Sequence, residues 1–106
     1  MSSDSVIETL RAFMAERDWS QFHSPGNLAK SISIEAAELL ECYQWNEDAD
    51  RDEVAGELAD VLTYALLLAD RLDLDPEQIV RDKLERTRQK YPVEKAKGRS
   101  TKYDRL

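Results

Sequence analysis

The sequence predicts an all-α protein: a four-helix protomer whose bundle is completed by homo-oligomerisation. Three observations carry this. Only three Gly and three Pro punctuate the chain, and no stretch alternates like a strand or reads as a hairpin. Apolar residues recur at helical spacing through four segments, each opened by a capping residue. The segment Val61 to Ala69 is apolar nearly all round, so its helix needs partners on more than one side. A chain of 106 residues is one domain with a modest core, and a second subunit is the natural partner.

The first helix is expected from about Val6 to Asp18, capped by Ser5, with Glu8 completing a capping box. Val6, Leu10, Phe13 and Met14 form its apolar stripe. The segment Trp19 to Asn27 reads as a loop rich in aromatic and polar residues, with Phe13 and Phe22 expected in the core. A second helix begins between Pro25 and Leu28 and runs to about Trp45, with Ser24 as a candidate cap and Pro25 as its first residue. Its apolar row is Leu28, Ile32, Ala36, Leu39 and Tyr43. Asp50 caps the third helix, which runs to about Leu72. Asp75-Pro76 opens the fourth, which ends near Lys90, before Pro92. Residues 1–92 are read as the folded domain and 93–106 as a basic polar tail with too few apolar residues to fold alone.

Charge and composition exclude several classes. The net charge of −7, from 22 acids and 15 bases, argues against binding nucleic acid polymers through bulk charge. The longest apolar run is far too short to span a bilayer. Cys42 is the single cysteine, so no intramolecular disulfide framework exists, and it reads as a small core residue rather than a nucleophile. The N-terminus lacks the basic and apolar regions of a secretory leader, so a soluble cytoplasmic protein is expected. Glycine-rich phosphate loops, GxSxG, HExxH and CxxC patterns are absent.

Two acidic pairs carry the chemistry. Glu35 and Glu38 form an ExxE, and Glu57 and Asp60 an ExxD. The i, i+3 spacing puts both members of each pair on one helix face. Both pairs lie within apolar runs, where inward carboxylates are costly unless paired or metal-bound. Four hard oxygen ligands from two facing helices suit Mg²⁺ rather than Zn²⁺. A solvated acidic face is the competing reading, and spacing alone does not choose. On the fourth helix, Lys83 is the base singled out for a phosphate contact, although bases near a helix C-terminus also favour the macrodipole. Trp19, His23, Trp45 and Tyr64 are candidate contacts to a nucleobase and sugar, Tyr64 because it follows Asp60 by one turn. The chemistry that remains is metal-assisted attack of water on phosphorus.

These residues carry a resemblance. The stretches ERDWSQFHSPGNLAKSISIEAAELLECYQW, ELADVLTYALLLAD and KLERTRQKYP resemble the MazG-like all-α nucleoside triphosphate pyrophosphohydrolases, and most of all their small dCTP pyrophosphatase branch. The resemblance covers roughly Glu16 to Pro92. It implies that Glu35, Glu38, Glu57 and Asp60 hold Mg²⁺. It also implies that the Trp19 to His23 segment, including Gln21, together with Trp45 and Tyr64, holds base and sugar. The implied reaction is (d)NTP plus water to (d)NMP and pyrophosphate, removing non-standard or excess nucleotides, in homodimers or homotetramers with sites at the subunit interface. Thr87 stands where the family pattern usually carries Asn. Either Glu38 or Glu41 would take the proton from water. Two alternatives stay open: a phosphoribosyl-ATP pyrophosphohydrolase, and a non-catalytic acidic helical module that binds a partner protein.

Overall fold

The computed structural model describes residues 5–106. The first four residues, part of the stretch in which no leader is expected, lie outside the described residues. All regular structure among the described residues is helical: α1 (Val6–Glu16), α2 (Pro25–Glu41), α3 (Arg51–Arg71), α4 (Pro76–Lys90) and a single turn, α5 (Val93–Ala96). Two short 3₁₀ turns, Ser20–Phe22 and Tyr103–Arg105, complete it.

Each long helix starts where a side-chain oxygen meets an orphan backbone N–H. Ser5 Oγ accepts from the Glu8 amide at 3.3 Å, and Ser24 Oγ from Asn27 at 3.2 Å. Asp50 Oδ1 accepts from Asp52 at 3.2 Å, and Asp75 Oδ1 from Glu77 at 3.0 Å. Pro25 and Pro76 occupy first-turn positions, as expected.

Two helix ends differ from the sequence reading. α1 stops two residues earlier because Asp18 adopts a left-handed conformation, φ 55°. The Asp18 amide then donates to the Ala15 carbonyl and the Trp19 amide to the Met14 carbonyl, which closes the helix. α2 ends at Glu41 rather than near Trp45 because the ladder tightens. Tyr43 and Gln44 donate to Leu40 and Glu41, three residues back.

The chain forms two compact units, one ending at Asp73 and the other spanning Leu74–Leu106. In the first, α2 packs along α3 and α1 lies against α3. Met14, Leu28 and Leu67 make its buried cluster, with Leu10, Tyr64 and Leu68 packed around it. Leu28 is 1% exposed and is the most enclosed of these. Leu28→Ala is expected to cost roughly 2–5 kcal/mol, read as a fall in the urea midpoint without a change in slope.

Most other apolar positions among the described residues are only partly buried or exposed. Phe13 and Phe22, expected in the core, are exposed, as are Val6 and Tyr43. Leu40 and Leu62 are 67% and 53% exposed. Ala36, Leu39, Leu40, Tyr43, Val54 and Leu58 form one apolar depression on the α2–α3 pair. Periodicity identifies which faces are apolar, but not whether the same chain covers them.

In the second unit, α4 continues into a tail with structure of its own. Gly98, at φ 76°, occupies a left-handed backbone position between α5 and the last 3₁₀ turn. Tyr103 then packs edge-on against Tyr91 at 6.2 Å, and its amide donates to the Tyr91 hydroxyl at 3.2 Å. Lys90 Nζ lies 4.6 Å from the Tyr103 ring centre. The apolar count that suggested an unfolded tail misses this aromatic pair.

Candidate active site

α2 and α3 run side by side, and their acidic faces meet. Glu35 on α2 and Glu57 and Asp60 on α3 each offer a carboxylate oxygen, and these oxygens lie within 4.8 Å of one another. Glu35 and Glu57 are half-buried, whereas Asp60 is exposed. The fourth expected ligand, Glu38, lies outside this tight set. It lines an adjoining groove of about 440 Å³ together with Glu41, Glu53 and Glu57. Glu57 belongs to both the cluster and the groove.

The electrostatics follow from this crowding. Burial pushes the Glu57 carboxyl above its usual range, and repulsion from Glu38, Asp60, Glu35 and Glu41 adds to it. Among the described residues, no basic side chain lines the groove. Oxygens coordinated at 2.0–2.6 Å from one hard cation sit no more than about 5 Å apart, so the set fits a divalent metal by span and donor type. Cys42 lines the same groove, and burial followed by the charge on Glu57 pushes its thiol up. It is poorly suited to act as a nucleophile.

The aromatic candidates divide. His23 packs edge-on against Tyr64 with ring centres 6.4 Å apart, so the segment after α1 meets α3 one turn beyond Asp60. Trp19 packs on Phe13 at 5.7 Å, and the Arg17 guanidinium lies 3.7 Å from the Phe13 ring centre. Trp45 is 89% exposed in the turn after α2, barely covered by the described residues. Gln21 Nε2 donates to the Asp18 carbonyl at 2.9 Å and to its carboxylate at 3.0 Å, so its amide holds the local turn. Lys83 is exposed on α4, in the second unit, beside Ile79, Val80, Leu84, Arg86 and Thr87. Sequence reasoning missed the ion pair between Arg11 and Asp70, whose partners lie 59 residues apart.

A helical pair that brings carboxylates from neighbouring helices into one cluster, beside an aromatic segment, defines the class: an all-α protein with a candidate cation site on its α2–α3 face. Comparison with known proteins makes the class specific. Residues 30–106 match the MazG-like family. dCTP pyrophosphatase 1 of Rattus norvegicus is 38% identical, over 99% of this chain and 70% of the rat protein. The Homo sapiens protein of the same name is 36% identical over the same shares. The crystal structure of a pyrophosphatase from Archaeoglobus fulgidus superposes with a TM-score of 0.75 at 43% identity, covering 82% of this chain and 89% of that one. The chain belongs to the MazG-like family.

Proposed function

We propose that the chain hydrolyses dCTP-like deoxynucleoside triphosphates between the α and β phosphates, releasing the monophosphate and pyrophosphate. It is a nucleotide pyrophosphohydrolase. The observation that carries this reading is the convergence of Glu35, Glu57 and Asp60 oxygens within 4.8 Å, in a member of this family. Glu35, Glu38, Glu57 and Asp60 would hold Mg²⁺. When bound, that ion lowers the pKa of water and neutralises phosphate charge. Glu38 or Glu41 takes the proton from the attacking water. Trp19, Gln21, His23, Trp45 and Tyr64 hold base and sugar, with Lys83 on a phosphate.

On this reading residues 1–92 carry the pyrophosphohydrolase domain and 93–106 a basic tail. The exposed apolar face of α2 and α3 is covered by another copy of the chain, in a homodimer or homotetramer. No helix of the described residues is long and apolar enough to cross a membrane. The protein would act on the cytoplasmic nucleotide pool.

The test is a panel of the four dNTPs and their modified forms with Mg²⁺, separating mono- from diphosphate products. dCTP and its close analogues are expected to give monophosphate and pyrophosphate, and EDTA to stop the reaction. Diphosphate with orthophosphate would place the cut elsewhere. Turnover of phosphoribosyl-ATP with none of the dNTPs would assign the related histidine-pathway type instead.

A further inference from the structure

We propose that Arg11 and Asp70 form a positioning pair that fixes the Trp19–His23 segment against Tyr64, and so sets how tightly the substrate's base and sugar are held. The inference rests on the pyrophosphohydrolase reading.

The pair is distinctive. Arg11 Nε donates to Asp70 Oδ1 and Oδ2 at 3.0 and 3.1 Å, and Nη2 also donates to Oδ1. It is the only side-chain ion pair joining two different helices among the described residues. A guanidinium fork on a carboxylate fixes angle as well as distance, which a single Lys contact does not. The Arg11 guanidinium holds the Asp70 carboxyl below its usual range.

The connection to the site is mechanical. Arg11 is one turn before Met14 on α1, and Asp70 is one turn after Leu67 on α3. Met14 and Leu67 share the buried cluster, so the ion pair and that contact hold α1 on α3 at two successive levels. The Met14 carbonyl in turn accepts from the Trp19 amide at 3.0 Å. From Trp19 one 3₁₀ turn leads to His23, whose ring meets Tyr64. Both members of the pair and His23 also line one cavity of about 340 Å³. A rotation of α1 about its single buried residue would therefore displace Trp19 and distort the short turn between it and His23, whose far end is tied to α2 by the Ser24 cap and the Asn27–Phe22 hydrogen bond, leaving the carboxylates of α2 and α3 in place. Such a shift weakens substrate positioning before it weakens chemistry.

The experiment measures kcat and KM for the dNTP that the parent hydrolyses. Arg11→Ala and Asp70→Asn are expected to raise KM about five- to tenfold with kcat within about twofold of the parent. The charge-swapped double variant Arg11→Asp/Asp70→Arg should bring KM back to within about threefold. Unchanged KM in both single variants overturns the proposal, as does a loss confined to kcat. A swap no better than either single variant also overturns it. If Arg11→Ala fails to fold by circular dichroism, Arg11→Lys, which keeps the charge and loses the fork, is read by the same criteria. Should the parent release no pyrophosphate from any dNTP, the functional reading fails by itself. The pair is then tested by acrylamide quenching of Trp19 in a Trp45→Phe background. Quenching should rise on Arg11→Ala and fall back in the swap, and unchanged quenching overturns the pair's role.

Discussion

Glu57→Gln is expected to lower pyrophosphate release at least about 100-fold while raising the thermal stability of the metal-free protein at neutral pH. The two effects have one origin. Glu57 sits among Glu35, Glu38, Glu41 and Asp60, half-buried, with its carboxyl pushed above its usual range. A carboxyl whose pKa is higher folded than unfolded binds its proton more tightly in the native state. Stability therefore falls as pH rises from the ordinary Glu value through the raised one, and stays at the lower level above it. Gln removes that charge permanently and keeps the shape. The variant's advantage in metal-free buffer should be present at pH 7 and vanish at a pH below the ordinary Glu range, where parent Glu57 is protonated. Adding Mg²⁺ should stabilise the parent and leave Glu57→Gln nearly unchanged, because the cation offsets repulsion only where a ligand set is complete. Melting curves with EDTA and with Mg²⁺ at each pH check all three statements. A variant melting below the parent at pH 7 in EDTA would mean that the carboxylates repel too little to matter.

Asp70 titrates with the opposite sign. Its carboxyl is held below the usual range by Arg11, so the stability it contributes is present above the ordinary Asp value and is lost as pH falls through the lowered one. Acid thus relieves the acidic cluster and breaks the α1–α3 pair, in successive windows.

What the sequence makes legible is what is local. Caps at Ser5, Ser24, Asp50 and Asp75 depend on one side chain meeting a backbone amide two or three residues on. The ExxE and ExxD pairs are likewise i, i+3 relations, and family resemblance supplied the order in which they occur. The end of α1 was not legible, because the left-handed residue there is Asp18 and not the glycine that usually marks such a stop. The end of α2 was hidden by apolar residues that continue past it while the hydrogen bonds shift to three-residue spacing. Which carboxylate oxygens of α2 and α3 fall within 4.8 Å of one another, Glu35 but not Glu38, is a relation between two helices, which spacing within one helix does not contain. Arg11 and Asp70 lie 59 residues apart, and no pattern in the chain links them.

Paired substitution of Leu40→Glu and Leu58→Glu is expected to convert the protein to a monomer and to remove most of its activity. Both residues line the apolar depression on α2 and α3, at 67% and 43% exposure. Burial among the described residues is limited to Met14, Leu28, Leu67 and Ala69, a small core for a chain of this length. Covering a leucine side chain contributes roughly 1.5–3 kcal/mol, so the open face holds a large part of the apolar energy the sequence encodes. Two buried carboxylates would cost more than that face can return. Light scattering coupled to size exclusion should show the parent as a dimer or tetramer and the double variant as a single chain, with a lower melting temperature. Activity should fall with it because Trp45, the proposed nucleobase contact, is 89% exposed in the turn after α2 and would take its support from the second copy. Two results would count against this face as the subunit interface. One is a parent that runs as a monomer at all concentrations. The other is a double variant that stays oligomeric at parental turnover.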